Sequence, residues 1–112
     1  MQLVSVQTHS NIHQIKAHVP SINFDNVREF REAVLFAVGV KAIAIIDFSE
    51  VISIDGAGFG MLMSCQRMLG ERQAKLRLCQ LRPEVWHSFE ALKLDKVFET
   101  YTTAERAMWV QS

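Results

Sequence analysis

The chain has 112 residues, of which 49% are hydrophobic and 21% are charged, proportions typical of a soluble globular domain. Twelve basic and twelve acidic side chains give a formal net charge of zero, which argues against nucleic acid or an anionic membrane surface as a partner. No apolar run approaches the roughly 18 residues of a membrane helix, and a polar-interrupted strand rather than a signal sequence follows Met1. We therefore expect one cytoplasmic domain over residues 1–112 that does not insert into a membrane.

Five segments of the chain have the residue patterns of β-strands. Residues 3–8 and 12–19 alternate on either side of a short turn, which predicts an N-terminal hairpin. The apolar run at 43–46 is typical of a strand that is covered on both faces. Residues 75–81 and 97–101 also fit strands.

Apolar residues at helical spacing predict four helices after the hairpin. Asn23 is the expected N-cap of the first helix, Asp25 is the competing cap, and Gly39 is the expected end. Gly70 is expected to end the second helix, and a capping box at 102–105 to start the last. The main buried helix positions are expected to be Phe30, Val34, Leu62, Cys65, Leu69, Val85, Phe89, Leu92 and Ala107. The order β-β-α-β-α-β-α-β-α is typical of a layered α/β domain.

The start of the second helix is the most informative part of the chain. A short apolar run at 51–54 is followed by Asp55, Gly56, Ala57 and Gly58, which open the helix. Small residues at this point leave backbone N–H groups uncovered and allow another backbone to come close. A partner or an anion could use such a place. The alternative is a tight strand-to-helix turn with no further role.

The outward side of the second helix carries an unusual set of residues. Gly60, Met63, Ser64 and Arg67 point away from the core at about 100° per residue, and Phe59 lies at the boundary. Scattered surface apolar residues need no explanation. However, Phe59 and Met63 are both expected to face partly outward beside a glycine-rich helix start, and this pairing favours a protein-docking patch.

The sequence offers little for catalysis or for a metal. The histidines lack neighbours at a ligand spacing, and neither a GxSxG elbow nor a GxxxxGK[ST] loop is present. Asp47 and Asp55 could form a carboxylate pair, but aspartates at strand ends usually cap turns or helix starts. Cys65 and Cys79 have no CxxC spacing and are expected to be reduced core thiols. We expect no enzyme activity, no cofactor and no metal.

Taken together, these segments resemble a STAS domain, the fold of bacterial anti-sigma-factor antagonists and of sulphate-transporter tails. The resemblance implies a mixed β-sheet of four to five strands packed with about four helices. It covers nearly the whole chain and is strongest from Ile43 to Met108. The segments that carry it are IIDFSEVISID at 45–55, Gly58, Gly60, Leu62, LRL at 76–78, PEV at 83–85, LDKVF at 94–98 and TAERA at 103–107.

The resemblance implies a partner-switching module. Family antagonists bind an anti-sigma factor of the histidine-kinase-like ATPase type, which phosphorylates a serine at the docked helix start, and a phosphatase reverses this. The added negative charge and bulk break the complex. The residues of this chain that correspond to the partner-binding segment, together with the loop before the first helix, are Asn23, Asp25, Ser53, Asp55, Gly56, Ala57, Gly58, Phe59, Gly60 and Met63.

The chain departs from the family at the phospho-acceptor position, which is Gly56. Neither Gly56 nor Ala57 has a hydroxyl group, and Ser53 or Ser64 would require a different kinase geometry. The loop before the first helix also departs, because Asn23 stands where the family often has an aspartate. The resemblance therefore implies either a module that stays competent to bind or a form whose acceptor serine was replaced. The alternatives are an accessory STAS subunit that docks on the ATPase or permease of a membrane transport system, and a small-ligand sensor.

Overall fold

The computed structural model describes residues 2–110, so Met1, Gln111 and Ser112 of the expected domain lie outside the described residues. The strands are β1 (Val4–His9), β2 (Ile12–Ala17), β3 (Ser21–Ile22), β4 (Ile43–Asp47), β5 (Ser53–Ile54), β6 (Lys75–Cys79) and β7 (Glu99–Tyr101). The helices are α1 (Val27–Ala37), α2 (Gly56–Glu71), α3 (Pro83–Ala91) and α4 (Ala104–Trp109).

Five of the strands form one mixed sheet in the order β1-β2-β4-β6-β7. The hairpin strands β1 and β2 are antiparallel, whereas β2, β4, β6 and β7 run parallel to one another. A second sheet consists of the two-residue strands β3 and β5, which pair in parallel. The mixed sheet and the four helices confirm the predicted fold class. The sequence patterns missed the small second sheet, because two-residue strands are too short to show a period.

The two faces of the main sheet are covered unequally. Ala44 and Ile46 of β4 face a large core that is shared with α1, α2 and α3. Ile45, between them, faces the opposite side and packs with Cys79 and Ala107 beneath α4. This alternation explains why residues 43–46 are all apolar, since successive side chains of one strand point to opposite faces. Within residues 2–110, no helix combines the length and the hydrophobicity needed to cross a bilayer.

Several expected helix boundaries were wrong. The first helix begins at Val27, with Asn26 at the N-cap position. Its end agrees with the expectation, since the C-cap is Val38 and Gly39 follows directly. Neither Asn23 nor Asp25 is the N-cap, because the helix begins at Val27. The Asn23 side chain accepts a hydrogen bond from the Asp25 N–H at 2.9 Å and so stabilises the turn before the helix. The second helix continues through Gly70 to Glu71.

Two further expectations near the C-terminal helices were also wrong. The last helix is capped by Thr103, whose hydroxyl oxygen accepts from the Arg106 N–H at 3.1 Å, and not by Thr102. Leu92 was expected to be buried, but it is exposed. It is the C-cap residue of α3, and Phe89 is the last buried residue of that helix.

The buried cysteines and one buried arginine complete the core. Cys65 and Cys79 are free and buried, as expected, and burial raises the pKa of their thiols to about 11 and about 12. Both thiols are therefore protonated at neutral pH. Arg77 is fully buried under α4, where it donates to the Glu99 carboxylate at 3.2 Å and to the Ala107 carbonyl at 2.8 Å. This arginine attaches α4 to the sheet.

Candidate functional site

Asp55 holds together two segments that lie far apart in the sequence. It is the N-cap of α2, and its Oδ1 accepts a hydrogen bond from the Gly58 N–H at 2.9 Å. Its Oδ2 accepts from the N–H of Phe24, in the loop before α1, at 3.1 Å. One carboxylate therefore satisfies two backbone donors and fixes the α2 start against the preceding loop.

The backbone joins the same two segments beside Asp55. Ser21 pairs with Ser53 and Ile22 pairs with Ile54 in the small sheet. The loop that follows is tied internally, because the Asn26 side chain accepts from the Asn23 N–H at 2.9 Å and donates to the Ser21 carbonyl at 2.8 Å.

These pairings place three of the predicted site residues together. Asn23 and Asp25 lie in the tied loop, and Ser53 lies on the strand that pairs with its start. Asp25 and Ser53 are exposed, whereas Asn23 is half-buried. The structure therefore places all three beside the α2 start.

The glycines at the α2 start have opposite environments. Gly56 and Gly60 are exposed, and a Cβ added at either would meet no atom within 4 Å. A Cβ at Gly58, by contrast, would lie 2.5 Å from Ile54 Cγ1 and 2.9 Å from the Ile22 carbonyl oxygen. Gly58 is thus needed for close contact with the small sheet, while Gly56 and Gly60 leave a bare backbone facing solvent.

Met63 and Phe59 lie on different sides of α2. Met63 is 44% exposed and lies on the outward side with Gly56 and Gly60. Phe59 is only 4% exposed, so the expectation that it faces partly outward was wrong. Its ring packs edge-on against Phe89 of α3, with 4.9 Å between the centroids. The boundary position of Phe59 became buried because α3 covers that side of the helix.

Two exposed apolar residues near Asp55 were missed by the sequence reasoning. Phe24 is 79% exposed and Ile52 is 50% exposed. Phe24 donates its N–H to Asp55, and Ile52 donates its N–H to the Pro20 carbonyl at 2.8 Å. The sequence did contain a signal for Phe24, because this large apolar residue lies between the predicted capping residues Asn23 and Asp25. Six of the exposed residues in this region form what we call the Asp55 surface: Phe24, Ile52, Asp55, Gly56, Gly60 and Met63.

A small cleft of about 170 Å³ between α1 and α2 borders the Asp55 surface. Arg28 and Arg31 of α1 line it on one side, and Gly60 and Ser64 of α2 line it on the other. The cleft therefore presents positive charge next to the bare glycine backbone. Ser64 is half-buried here and its hydroxyl contacts the Met68 sulfur at 3.8 Å.

The two aspartates named as a candidate carboxylate pair have structural roles. Asp47 Oδ1 accepts from the Ser49 N–H at 2.7 Å, and both oxygens of Asp55 accept from backbone N–H groups. These bonds are those of turn and helix caps. The arrangement is suited to hold a backbone conformation and to present a surface.

The model of the STAS domain family matches residues 4–107. A search of curated proteins found no match. Among solved structures, the chain is similar to an anti-sigma-factor antagonist (STAS) domain protein from Planctomyces limnophilus, with a TM-score of 0.84, 17% identity and 94% of each chain covered.

Two other solved structures show the range of proteins with this fold. An anti-sigma factor antagonist from Mycobacterium paratuberculosis has a TM-score of 0.80 and 20% identity, over 94% of this chain and 89% of that one. A sulfate transporter family protein from Wolinella succinogenes has a TM-score of 0.76 and 14% identity, over 90% of this chain and 84% of that one. These likenesses concern the fold.

Proposed function

Because the chain belongs to the STAS domain family, we propose that it is a non-enzymatic regulatory module that binds a partner protein in the bacterial cytoplasm. The partner is an anti-sigma factor or serine kinase of the histidine-kinase-like ATPase type, and a phosphatase is a further partner of the same system. Similarity to structures described as anti-sigma factor antagonists supports this choice of partner. The function needs no cofactor and no metal.

The Asp55 surface is the observation that carries the proposal. Its bare backbone at Gly56 and Gly60 lets a partner approach α2 closely, because a Cβ at either position would project into open space. Phe24 and Met63 provide exposed apolar side chains on either side of this backbone. Apolar and aromatic groups around a close-packed centre are typical of protein interfaces. Ala57, Gly58 and Phe59 act beneath this surface, where they position it.

Gly56 determines how such a module is regulated. It is the first residue of α2 and is exposed, so a serine here would be accessible to a kinase. Glycine has no hydroxyl to accept a phosphoryl group, and the negative charge that would break the complex is never added. The module therefore stays competent to bind, and control of the system passes to the partner or to the amount of the module.

Accessory function in a membrane transport system is the second candidate. Gly56 favours it, since docking on a transport ATPase or permease requires no reversible phosphorylation. The structural similarity to a sulfate transporter family protein is consistent with this reading. The same Asp55 surface would make the contact.

The test is affinity capture from native bacterial lysate, read by mass spectrometry, with wild type, Gly56→Asp and Gly70→Asp as baits. Gly70 is the matched control, because it is also exposed on α2 with no atom near its added Cβ but lies at the other end of the helix. We expect wild type and Gly70→Asp to recover a histidine-kinase-like ATPase, and Gly56→Asp to lose it.

Two other results would change the conclusion. Recovery of transport components that depends on position 56 would favour the accessory function. Capture of the same ATPase by all three baits would contradict docking through the Asp55 surface. Titration calorimetry with the purified ATPase then measures the loss directly, and we expect at least about 100-fold weaker binding for Gly56→Asp, as for charge placed in the centre of an interface.

A further inference from the structure

A second cleft in the described residues lies away from the Asp55 surface and shares no lining residue with it. It has a volume of about 470 Å³ and is lined by Ser49 after β4, Arg82 and Trp86 at the start of α3, and Tyr101 and Thr102 at the end of β7. The volume falls within the range of small-molecule sites. The cleft lies at the carboxyl ends of parallel strands, where α/β sheets commonly bind ligands.

Two aromatic residues line this cleft. Trp86 is half-buried, and its indole ring stacks on the Phe89 ring with 6.5 Å between centroids and 16° between planes. Tyr101 is also half-buried, and its hydroxyl donates to Glu99 at 3.0 Å. Both residues are therefore held in place by neighbours outside the cleft. Preorganised aromatic residues of this kind favour a flat apolar ligand, because they lose little conformational freedom on binding.

Arg82 is the one charged residue among those that line the cleft. Its Nε donates to the Ser49 carbonyl at 2.8 Å, which fixes the direction of the guanidinium group. Its two Nη groups make no hydrogen bond to residues 2–110. A planar guanidinium with free Nη groups matches a carboxylate or a similar oxyanion, which can accept two parallel hydrogen bonds.

Neighbouring carboxylates are already engaged. Glu99 accepts from Arg77 and from Tyr101, and Asp47 accepts from the Ser49 N–H. In addition, no side chain caps the start of α3, so the partial positive charge of this helix end adds to that of Arg82, and Glu84 in its first turn does not line the cleft. Among the residues that line the cleft, the only formal charge is therefore the positive charge of Arg82.

We propose that this cleft binds a small planar aromatic anion, with its ring beside Trp86 and Tyr101 and its oxyanion on Arg82. The site is separate from the Asp55 surface, and the proposal does not depend on the partner-binding function. It adds a small-molecule input to a domain whose Gly56 cannot be phosphorylated.

The experiment titrates the chain with 2-naphthoate and, separately, with the neutral 2-naphthamide. Binding is followed by NMR through the indole N–H signal of Trp86, which the Trp109→Phe variant distinguishes from that of Trp109. We expect 2-naphthoate to bind with a Kd below about 1 mM and at least about tenfold more tightly than 2-naphthamide, since only the carboxylate pairs with Arg82.

Four variants locate the binding in the cleft. Arg82→Gln is expected to weaken 2-naphthoate binding at least about tenfold while leaving that of 2-naphthamide unchanged, and Arg82→Lys to weaken it less, because lysine keeps the charge but loses the two parallel hydrogen bonds. Arg106→Gln, at an exposed arginine of α4 that does not line the cleft, is the matched control and should change nothing. Thr102→Trp fills the cleft from an exposed position and should abolish binding of both compounds.

Three outcomes would overturn the proposal. The first is that the Trp86 indole signal shows no saturable shift up to about 10 mM 2-naphthoate, which would mean a Kd weaker than about 10 mM. The second is equal affinity for 2-naphthoate and 2-naphthamide. The third is that Arg82→Gln and Thr102→Trp both bind 2-naphthoate with the wild-type Kd. Backbone NMR spectra of each variant verify the fold. If Arg82→Gln is misfolded, the Kd of Thr102→Trp alone decides whether the ligand binds in the cleft.

Discussion

The inner and outer sides of the first turns of α2 differ in almost every physical property. On the inner side, Gly58 contacts the small sheet and Phe59 packs against Phe89. On the outer side, a Cβ added at Gly56 or Gly60 would meet no atom within 4 Å, and Met63 is exposed. One short sequence, from residue 56 to residue 63, thus builds a tightly packed anchor and an open surface back to back.

Glycine thus serves opposite purposes within about one turn of the same helix. At Gly58, the missing side chain allows contact with the protein's own backbone, and this contact stabilises the fold. At Gly56 and Gly60, the missing side chain leaves room that the folded chain itself does not use. Glycine in a helix interior costs about 0.5–1 kcal/mol relative to alanine, so unused room is a cost to stability. In the proposed function, a partner protein occupies that room.

The two sides are expected to differ most in the stability lost when Phe59 or Met63 is replaced by alanine. Phe59→Ala is expected to lower the free energy of unfolding by about 3–5 kcal/mol, because it leaves a cavity against α3. Met63→Ala on the outer side should change it by no more than about 0.5 kcal/mol. Urea denaturation measures both. Equal losses for the two variants would show that the sides do not differ as described.

The second comparison uses the glycines themselves. Gly58→Ala is expected to destabilise the chain by about 1–3 kcal/mol, because the added Cβ meets the Ile22 backbone oxygen, which has little freedom to move. Gly60→Ala, with the same added atom in open space, should stabilise it by about 0.5–1 kcal/mol. Urea denaturation again provides the measurement. If Gly58→Ala left the free energy of unfolding unchanged, the small sheet of β3 and β5 would have to move easily away from the added Cβ.

Asp55 lies at the junction of the two sides, and its loss should have an intermediate effect. Asp55→Ala removes the acceptors of the Gly58 and Phe24 N–H groups, and we expect a loss of about 1–2 kcal/mol. Amide hydrogen exchange should report faster exchange at Phe24 as well as at Gly58. Faster exchange at Gly58 alone would show that Asp55 caps the helix without holding the loop.

The smallest expected effect on stability is at Gly56. Gly56→Ser introduces the hydroxyl that the family's switch requires, at an exposed first-turn position where an added Cβ meets no atom. We expect the free energy of unfolding to change by no more than about 0.5 kcal/mol. If the partner kinase acts on this chain, mass spectrometry should detect phosphorylation of the variant and none of wild type. A loss above about 1 kcal/mol would contradict the open environment of Gly56.

Much of the site could be predicted from sequence because it depends on local chemistry. An aspartate before small residues at a helix start predicts an N-cap, and Asp55 is one. The period of 3.6 residues placed Leu62, Cys65 and Leu69 inside and Met63 outside. These properties follow from neighbours within one or two helical turns, which the sequence lists directly.

Other properties required the folded chain. The loop before α1 has three residues with capping chemistry, and the choice among them depended on hydrogen bonds to Ser21 and on pairing with β5. Residues 75–81 predict a strand, but only the packing of α4 on that face of the sheet buries Arg77. The cleft beside Trp86 is formed by three segments that are far apart in sequence.

The sequence by itself determined the types and order of the long elements, the α/β class and the absence of a hydroxyl at position 56. Only the tertiary structure decided that Phe59 is buried, that Phe24 and Asp55 share one surface, and that a cleft opens at the ends of the parallel strands. The physical reason is the range of the interactions. Backbone periodicity and capping act between near neighbours, whereas burial depends on which distant element covers a given side.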